Sequence, residues 1–148
     1  MTRFVTTCTV TYILQFSEDC GTIGLRSVHG GKFVEVTSSN GIRATSAHWT
    51  PAAHITLELD PKDPRFVFLK SSHDTYLYAS SGGTLQWNRT WKLTRERYYM
   101  VRGGKNGGKI ALRSSYGRWL SAQSNGSLRA DRQKAQSWEY FDIFPEWC

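Results

Sequence analysis

Basic residues recur at matching intervals along this 148-residue chain, and they are its first candidates for chemistry. Nineteen lysines and arginines stand against twelve acidic residues, which gives a formal net charge of +7. A positive balance favours an acidic partner, such as an acidic protein surface, a nucleic acid or an anionic membrane surface. A second interpretation is that the charge serves solubility alone, and composition does not separate the two.

Catalytic constellations are not evident in the sequence. The four histidines have no obvious carboxylate partner, and the three cysteines have no obvious activating neighbour. The glycine-rich segment at 103–108 is not followed by a helical pattern, so it does not predict a phosphate-binding loop. We therefore expect a non-enzymatic binding module that uses no cofactor.

The cysteines also bear on the compartment. Cys8, Cys20 and Cys148 form neither a metal-binding spacing nor a disulfide framework, which favours a reducing environment. The N-terminal segment lacks the continuous apolar core and the small-residue cleavage site of a signal peptide. No stretch reaches the roughly 18 apolar residues of a membrane span. We expect a cytoplasmic protein.

The candidate residues lie on a structural unit that the sequence repeats three times. Leu25, Leu69 and Leu112 head similar segments, 44 and then 43 residues apart. A near-constant period in a short chain indicates a copied supersecondary unit. Each copy contains short β-branched and aromatic runs bounded by Gly, Asn, Asp or Ser, which predict four strands per copy.

Twelve strands in three pseudo-threefold repeats predict an all-β domain that has to protect its sheet edges. Closing the sheet into a barrel does this directly. The β-trefoil fits, since six of its strands form a barrel and three hairpins cover one end. We predict a single β-trefoil domain over residues 21–148, with repeats at about 21–62, 63–106 and 107–148.

Alternation along the strands predicts which side chains face inward. Residues 1–20 have no counterpart in the repeats, and Val10–Phe16 predicts one extra strand that pairs with the barrel or joins two chains as a homodimer. The inward positions should form threefold sets. They are Leu25/Leu69/Leu112, Val34/Leu77/Leu120 and Leu57/Val101/Ile143.

The third repeat carries a more specific pattern. Ile110–Ala122, followed by Gly126, Ala130–Arg132 and Trp138-Glu139, resembles the β-trefoil repeats of fascin, and hisactophilin repeats are similar. The match is good over residues 107–144 and weakest in the second repeat. The resemblance implies a fascin-like trefoil of a family that binds, and often crosslinks, actin filaments. It also implies a cytoskeleton-associated protein.

Two departures limit what the resemblance implies. Fascin carries four trefoils, whereas this sequence predicts one, so crosslinking would need a dimer or two binding faces. Hisactophilin is rich in histidine and responds to pH. This chain has only four histidines, so a histidine pH switch is not implied.

One group of basic residues is the predicted binding site. Five of its members lie on and beside the glycine-rich segment, and loops carry binding more often than barrel strands do. By contrast, the basic residues that follow the repeat leucines occupy outward strand positions that have to be polar. The predicted binding residues are Arg95, Arg97, Arg102, Lys105 and Lys109, with Arg118 and Arg132 at hairpin positions of the third repeat.

Two aromatic motifs support alternative functions. Trp87 and Trp91 could stack on a sugar or a base if exposed, but we predict that both are buried. Gln136-Ser137-Trp138 fits the Gln-x-Trp signature of ricin-like, sugar-binding trefoils. A carbohydrate-binding lectin with glycan partners is therefore the main alternative to actin binding. An anionic-lipid or protein-interaction scaffold is a third.

Overall fold

The chain folds into an all-β structure, of which a computed structural model describes residues 21–103 and 108–144. The described part contains twelve strands and three short 3-10 helices. The strands are β1 (Thr22–Ser27), β2 (Phe33–Val36), β3 (Ile42–Ser46), β4 (Ile55–Leu59), β5 (Phe66–Lys70), β6 (Tyr76–Ala79), β7 (Leu85–Arg89), β8 (Tyr98–Gly103), β9 (Lys109–Arg113), β10 (Trp119–Ala122), β11 (Leu128–Arg132) and β12 (Phe141–Phe144). The 3-10 helices are Pro51–Ala53, Thr94–Glu96 and Ser137–Glu139.

Six strands close into a barrel. Going round it, β1, β4, β5, β8, β9 and β12 pair antiparallel in that order, and β12 returns to β1. The other six strands form the hairpins β2–β3, β6–β7 and β10–β11. Each hairpin joins the barrel at its base, through the pairs Phe33–Arg26, Tyr76–Lys70 and Trp119–Arg113. The predicted β-trefoil fold is confirmed.

The three hairpin tips meet in a ring of backbone hydrogen bonds that covers one end of the barrel. At each tip, one residue with a positive φ presents its backbone carbonyl to a strand of the next hairpin. Asn and Gly adopt a positive φ at low cost. The bonds run from the amide of Trp87 to Asn40, from Ala130 to Gly83 and from Ala44 to Gly126, at 2.7–2.8 Å. The β4–β5 and β8–β9 connections lie at the opposite end.

The unequal repeat lengths have a local cause. In the turn after β5, the Ser71 amide donates to the carbonyl of Thr75, and Ser114 makes the same bond to Arg118 after β9. After β1, the Ser27 amide donates to Lys32, so this turn holds one more residue. From β2 onward the repeats are therefore related by a constant offset of 43 residues, as the strand bounds require.

The core follows the predicted inward sets, with one correction. The repeat leucines and the set Val34/Leu77/Leu120 are buried. Val101 was predicted to match Leu57 and Ile143, and this is wrong. Met100 pairs with Leu112 as Leu57 pairs with Leu69, so Met100 packs against the core and Val101 faces outward. Both residues are apolar, and only the strand register separates them.

The predicted N-terminal extension over residues 1–20 lies outside the described residues. The strand predicted over Val10–Phe16 and the homodimer contact lie outside them too, as do the three cysteines. The predicted domain and repeat boundaries remain predictions.

Candidate functional site

The histidines have no catalytic arrangement in the described part of the chain. His29 stacks on Trp138 with ring centroids 3.6 Å apart, and His73 places Nδ1 2.9 Å from Oδ1 of Asn40. His54 packs against Trp49 with ring centroids 4.3 Å apart. No group of three or more His, Cys, Asp or Glu side chains in residues 21–103 and 108–144 could hold a metal ion.

The structure separates the predicted basic cluster along β8. Arg95 and Arg97 precede this strand, near the hairpin end of the barrel, whereas Arg102 and Lys109 lie at its far end, beside the β8–β9 connection. Partial burial lowers the pKa of the Arg102 guanidinium, which still stays charged at neutral pH. Lys105 lies outside the described residues. The four described members of the cluster therefore do not form one patch.

Several cations on the barrel already pair with neighbouring carboxylates. Lys109 Nζ lies 2.7 Å from Asp142, and Arg97 Nε lies 2.8 Å from Asp60 with its guanidinium 3.6 Å from the centroid of the Phe66 ring. Arg26 and Lys70 make similar pairs with Asp142 and Glu58. This supports the interpretation that the repeat-leucine cations are outward structural positions.

Two open clefts lie where hairpins meet the 3-10 helices that follow them. Their lining residues are related by the constant offset of 43, so the clefts are pseudo-symmetric copies. The second-repeat cleft holds about 310 Å³ and is lined by Tyr78, Arg89, Trp91, Leu93, Thr94, Arg95 and Glu96. The third-repeat cleft holds about 350 Å³ and is lined by Ser121, Gln123, Arg132, Gln133, Lys134, Gln136, Trp138 and Glu139.

A buried glutamate closes the floor of each cleft. Glu96 and Glu139 each accept a hydrogen bond of 2.8 Å from a backbone amide, of Leu93 and Gln136 respectively. Such charge-assisted bonds compensate part of the cost of burying a carboxylate. Arg89 Nε lies 3.8 Å from the second oxygen of Glu96.

The first repeat carries a side-chain network at the equivalent place. Ala53 replaces the floor glutamate, and Glu35 stands at the position of Tyr78 and Ser121. The Glu35 carboxylate accepts hydrogen bonds from Thr50 Oγ1 and, at 3.1 Å, from Arg43 Nε. In the first repeat, an ionised hydrogen-bond network thus stands where the other two repeats have Tyr78 and Ser121 in the cleft lining.

The second-repeat cleft is aromatic and cationic. The Arg89 guanidinium lies 4.0 Å from the centroid of the Tyr78 ring and 5.4 Å from that of Trp91. Trp91 is 49% exposed and Leu93 is 65% exposed. The prediction that both tryptophans are buried is confirmed for Trp87, which is fully buried, and wrong for Trp91. Trp91 lies beyond the end of β7, where alternation no longer applies.

A family comparison agrees with this architecture over most of the chain. The Fascin domain family matches residues 31–143, more than half of the chain. The chain belongs to the Fascin domain family. The Fascin domain family is a family of non-enzymatic β-trefoil binding modules. No curated protein matches the chain.

The helices of this fascin domain do not suggest a membrane segment. Within residues 21–103 and 108–144, none has the length and apolar character that a membrane crossing requires.

The Gln-x-Trp motif of this fascin domain lies in the third-repeat cleft. Trp138 lines the cleft, but His29 of the first repeat stacks on one face of its indole at an interplanar angle of 23°. That face is therefore covered by the protein itself. Arg132, a predicted binding residue, also lines this cleft and lies 3.5 Å from both Asp131 and Gln123.

Most cations of the fascin domain have partners, and the exceptions are concentrated. Five described lysines and arginines make no side-chain hydrogen bond, ion pair or ring contact. Lys62 is on the β4–β5 connection. The other four lie on segments that enter or leave the hairpins at their bases, and we call them the hairpin-base cations: Lys32, Arg95, Arg118 and Lys134.

Sequence analysis missed part of this arrangement. Lys134 and Leu93 were not among the predicted binding residues, although Arg95 and Arg118 were. A signal was present, because Trp91 and Leu93 fall in a polar segment between predicted strands. At an offset of 43, Trp91 and Leu93 align with Lys134 and Gln136 of the third repeat. Because those equivalents are polar, the alignment indicates that Trp91 and Leu93 are apolar residues at solvent-facing positions.

Proposed function

We propose that this fascin domain binds actin filaments through its hairpin-base cations. The observation that carries the proposal is the coincidence of fascin family membership with unpaired positive charge confined, among the described residues, mainly to one end of the barrel. The net charge of +7 adds a long-range attraction for an acidic surface.

Unpaired cations are better suited to this role than paired ones. Lys109 and Arg97 would have to give up Asp142 and Asp60 before they could pair with an acidic partner. Arg95 and Arg118 give up only hydration, and an arginine can hold a carboxylate through two parallel hydrogen bonds. Arg95, Arg118 and Lys134 are exposed. We therefore expect them to contribute more to binding than the paired members of the predicted set.

Filament co-sedimentation tests the proposal. The double variant Arg118→Glu with Lys134→Glu reverses two hairpin-base cations, and we expect roughly tenfold weaker pelleting with filaments. The single variants Lys134→Glu and Lys62→Glu are the matched pair, because each reverses one unpaired cation, the first at a hairpin base and the second at the opposite end of the barrel. Lys134→Glu should weaken pelleting, and Lys62→Glu should pellet like the wild type. Wild-type binding should weaken as salt screens the charges.

Three outcomes would contradict the proposal. Failure of the wild type to pellet with filaments would exclude actin binding. Equal losses in Lys134→Glu and Lys62→Glu would show that only net charge matters and would remove the assigned surface. Salt-insensitive retention on a glycan array, or pelleting with anionic vesicles in place of filaments, would favour the lectin or the lipid scaffold.

A further inference from the structure

We infer that the second-repeat cleft, which shares Arg95 with the hairpin-base cations, is a docking site for an acidic peptide that carries a large apolar side chain. This site goes beyond filament binding, because it depends on an apolar contact as well as on charge. Its central residues are Trp91 and Leu93, flanked by Arg89 and Arg95, and we call it the Trp91 cleft.

The fold does not require apolar residues at these two positions. The equivalents of Trp91 and Leu93 are Lys134 and Gln136 in the third repeat, and His48 and Thr50 in the first, by the constant offset of 43. The same backbone thus accommodates polar side chains twice in this one molecule.

While they stay exposed, these two side chains contribute little to the stability of the folded state. Large apolar groups stabilise a fold in proportion to the area they remove from water, and these two stay about half exposed or more. Only four large apolar side chains are strongly exposed among the described residues, and two of them share this cleft. Adjacent exposed apolar residues of this kind mark interaction sites.

The charges of the cleft select an acidic occupant. Arg95 has no partner among the described residues, and Glu96, the only carboxylate in the lining, is buried and bonded to the Leu93 amide. Arg89 is held between the Tyr78 and Trp91 rings, which fixes its guanidinium at the cleft wall. Because Arg89 already pairs with Glu96 at 3.8 Å, a carboxylate entering the cleft would meet the unpaired Arg95 first and no exposed negative charge.

The size of the cleft limits what it can hold. At about 310 Å³ it lies at the lower end of ligand-site volumes. Such a space suits one aromatic or branched side chain with its neighbouring backbone, and the partner's carboxylates then reach Arg95 and Arg89. The pattern is that of peptide recognition by an apolar anchor flanked by charge.

Titration with short capped peptides tests the inference. The probe is acetyl-Asp-Glu-Phe-Glu-Asp-amide, followed by the indole N–H signal of Trp91 in NMR spectra, assigned from its absence in Trp91→Phe. We expect a saturable shift. Replacing the central Phe of the probe by Ala, or its acids by Asn and Gln, should each weaken binding about tenfold or more.

Pseudo-symmetry supplies the matched control. Trp91→Ala, followed through the remaining cleft signals, should weaken binding about tenfold. Gln136→Ala, at the position of the third repeat equivalent to Leu93, also keeps every charge and should change binding less than about twofold. Both residues are exposed, so unfolding midpoints should stay close to the wild type in both variants.

Several outcomes would overturn the inference. They are a Trp91 signal that does not saturate in the wild type, equal losses of binding in Trp91→Ala and Gln136→Ala, or equal binding of the acidic probe and the Asn/Gln probe. A shift produced by a neutral oligosaccharide and not by the peptide would reassign the cleft to sugars. Because the probe contains no filament and Trp91→Ala keeps every charge, this test and the co-sedimentation test can fail independently.

Discussion

At the scale of residues, carboxylates in and beside the β4–β5 connection are held in their charged form. Hydrogen bonds from Arg65 lower the pKa of Asp63 from its ordinary 3.8 to about 2. The backbone amide of Lys62, with Arg97, lowers the pKa of Asp60. Burial raises the pKa of Glu58, but bonds from Lys92 and Tyr76 outweigh it and the net shift is downward.

We predict that acid destabilises the protein partly through Asp63. Its folded pKa lies below its unfolded pKa, so the unfolded chain binds the proton at the higher pH. The stabilisation is present above about pH 5 and is lost as pH falls towards 2. Urea unfolding at low ionic strength measures the free energy of unfolding at each pH. Between about pH 5 and pH 2, this free energy should fall less in Asp63→Asn than in the wild type. Parallel curves for the two proteins would contradict this prediction.

The same carboxylate network affects a tyrosine. Burial, together with the hydrogen bond to Glu58, raises the pKa of Tyr76 to about 12. Tyr76 is the base residue of the β6–β7 hairpin and pairs with Lys70. The hydroxyl of Tyr76 therefore stays protonated across the physiological range and keeps donating to Glu58.

At the scale of elements, the hairpin tips depend on residues that tolerate positive φ. Gly83 has φ of +90°, and a Cβ placed there would lie 2.9 Å from Cβ of Asp131 and 3.1 Å from the carbonyl oxygen of Ala130. Both of these atoms belong to β11 of the next hairpin. A side chain at Gly83 would thus push apart the ring of hydrogen bonds that closes the barrel end.

We predict that Gly83→Ala destabilises the protein by about 2–3 kcal/mol, from backbone strain and from this contact. Gly117→Ala is the matched control, since Gly117 has φ of +77° but no atom within 4 Å of the added Cβ. It should cost about 1 kcal/mol from strain alone. Chemical denaturation measures both. Equal losses would mean that the interhairpin contact contributes nothing.

At the scale of the whole molecule, the trefoil is threefold in its backbone and unequal in its side chains. Trp87 stands where the other hairpins have Ala44 and Ala130, and it is fully buried. Its indole N–H donates to the carbonyl of Leu69 at 3.0 Å. One large side chain thus fills the interior that three equal residues would otherwise share.

We predict that Trp87→Ala costs about 3–5 kcal/mol, through lost burial and the cavity left behind. Trp91→Ala removes the same atoms from a largely exposed position four residues later and should change stability by less than about 1 kcal/mol. Thermal and urea unfolding compare the two variants. Similar losses would contradict the distinction between a core tryptophan and a cleft tryptophan.

The sequence by itself determined the architecture. The period of 44 and then 43 residues, the strand-length apolar runs and the turn residues are local patterns, and a local pattern can be recognised wherever it recurs. The β-trefoil and the threefold leucine set followed from them. The error at Val101 arose because Met100 beside it is equally apolar, so alternation alone left the register open.

Only the tertiary structure decided which charges and aromatic groups are available to a partner. Arg97 meets Asp60 across 37 residues of chain, and Lys109 meets Asp142 across 33, because the barrel register brings them together. Nothing near Arg95 or Lys134 in the sequence distinguishes them from those paired cations. Whether a cation is free to bind a partner depends on residues that are distant in the sequence. Closure of the barrel determines which of those residues lie beside it.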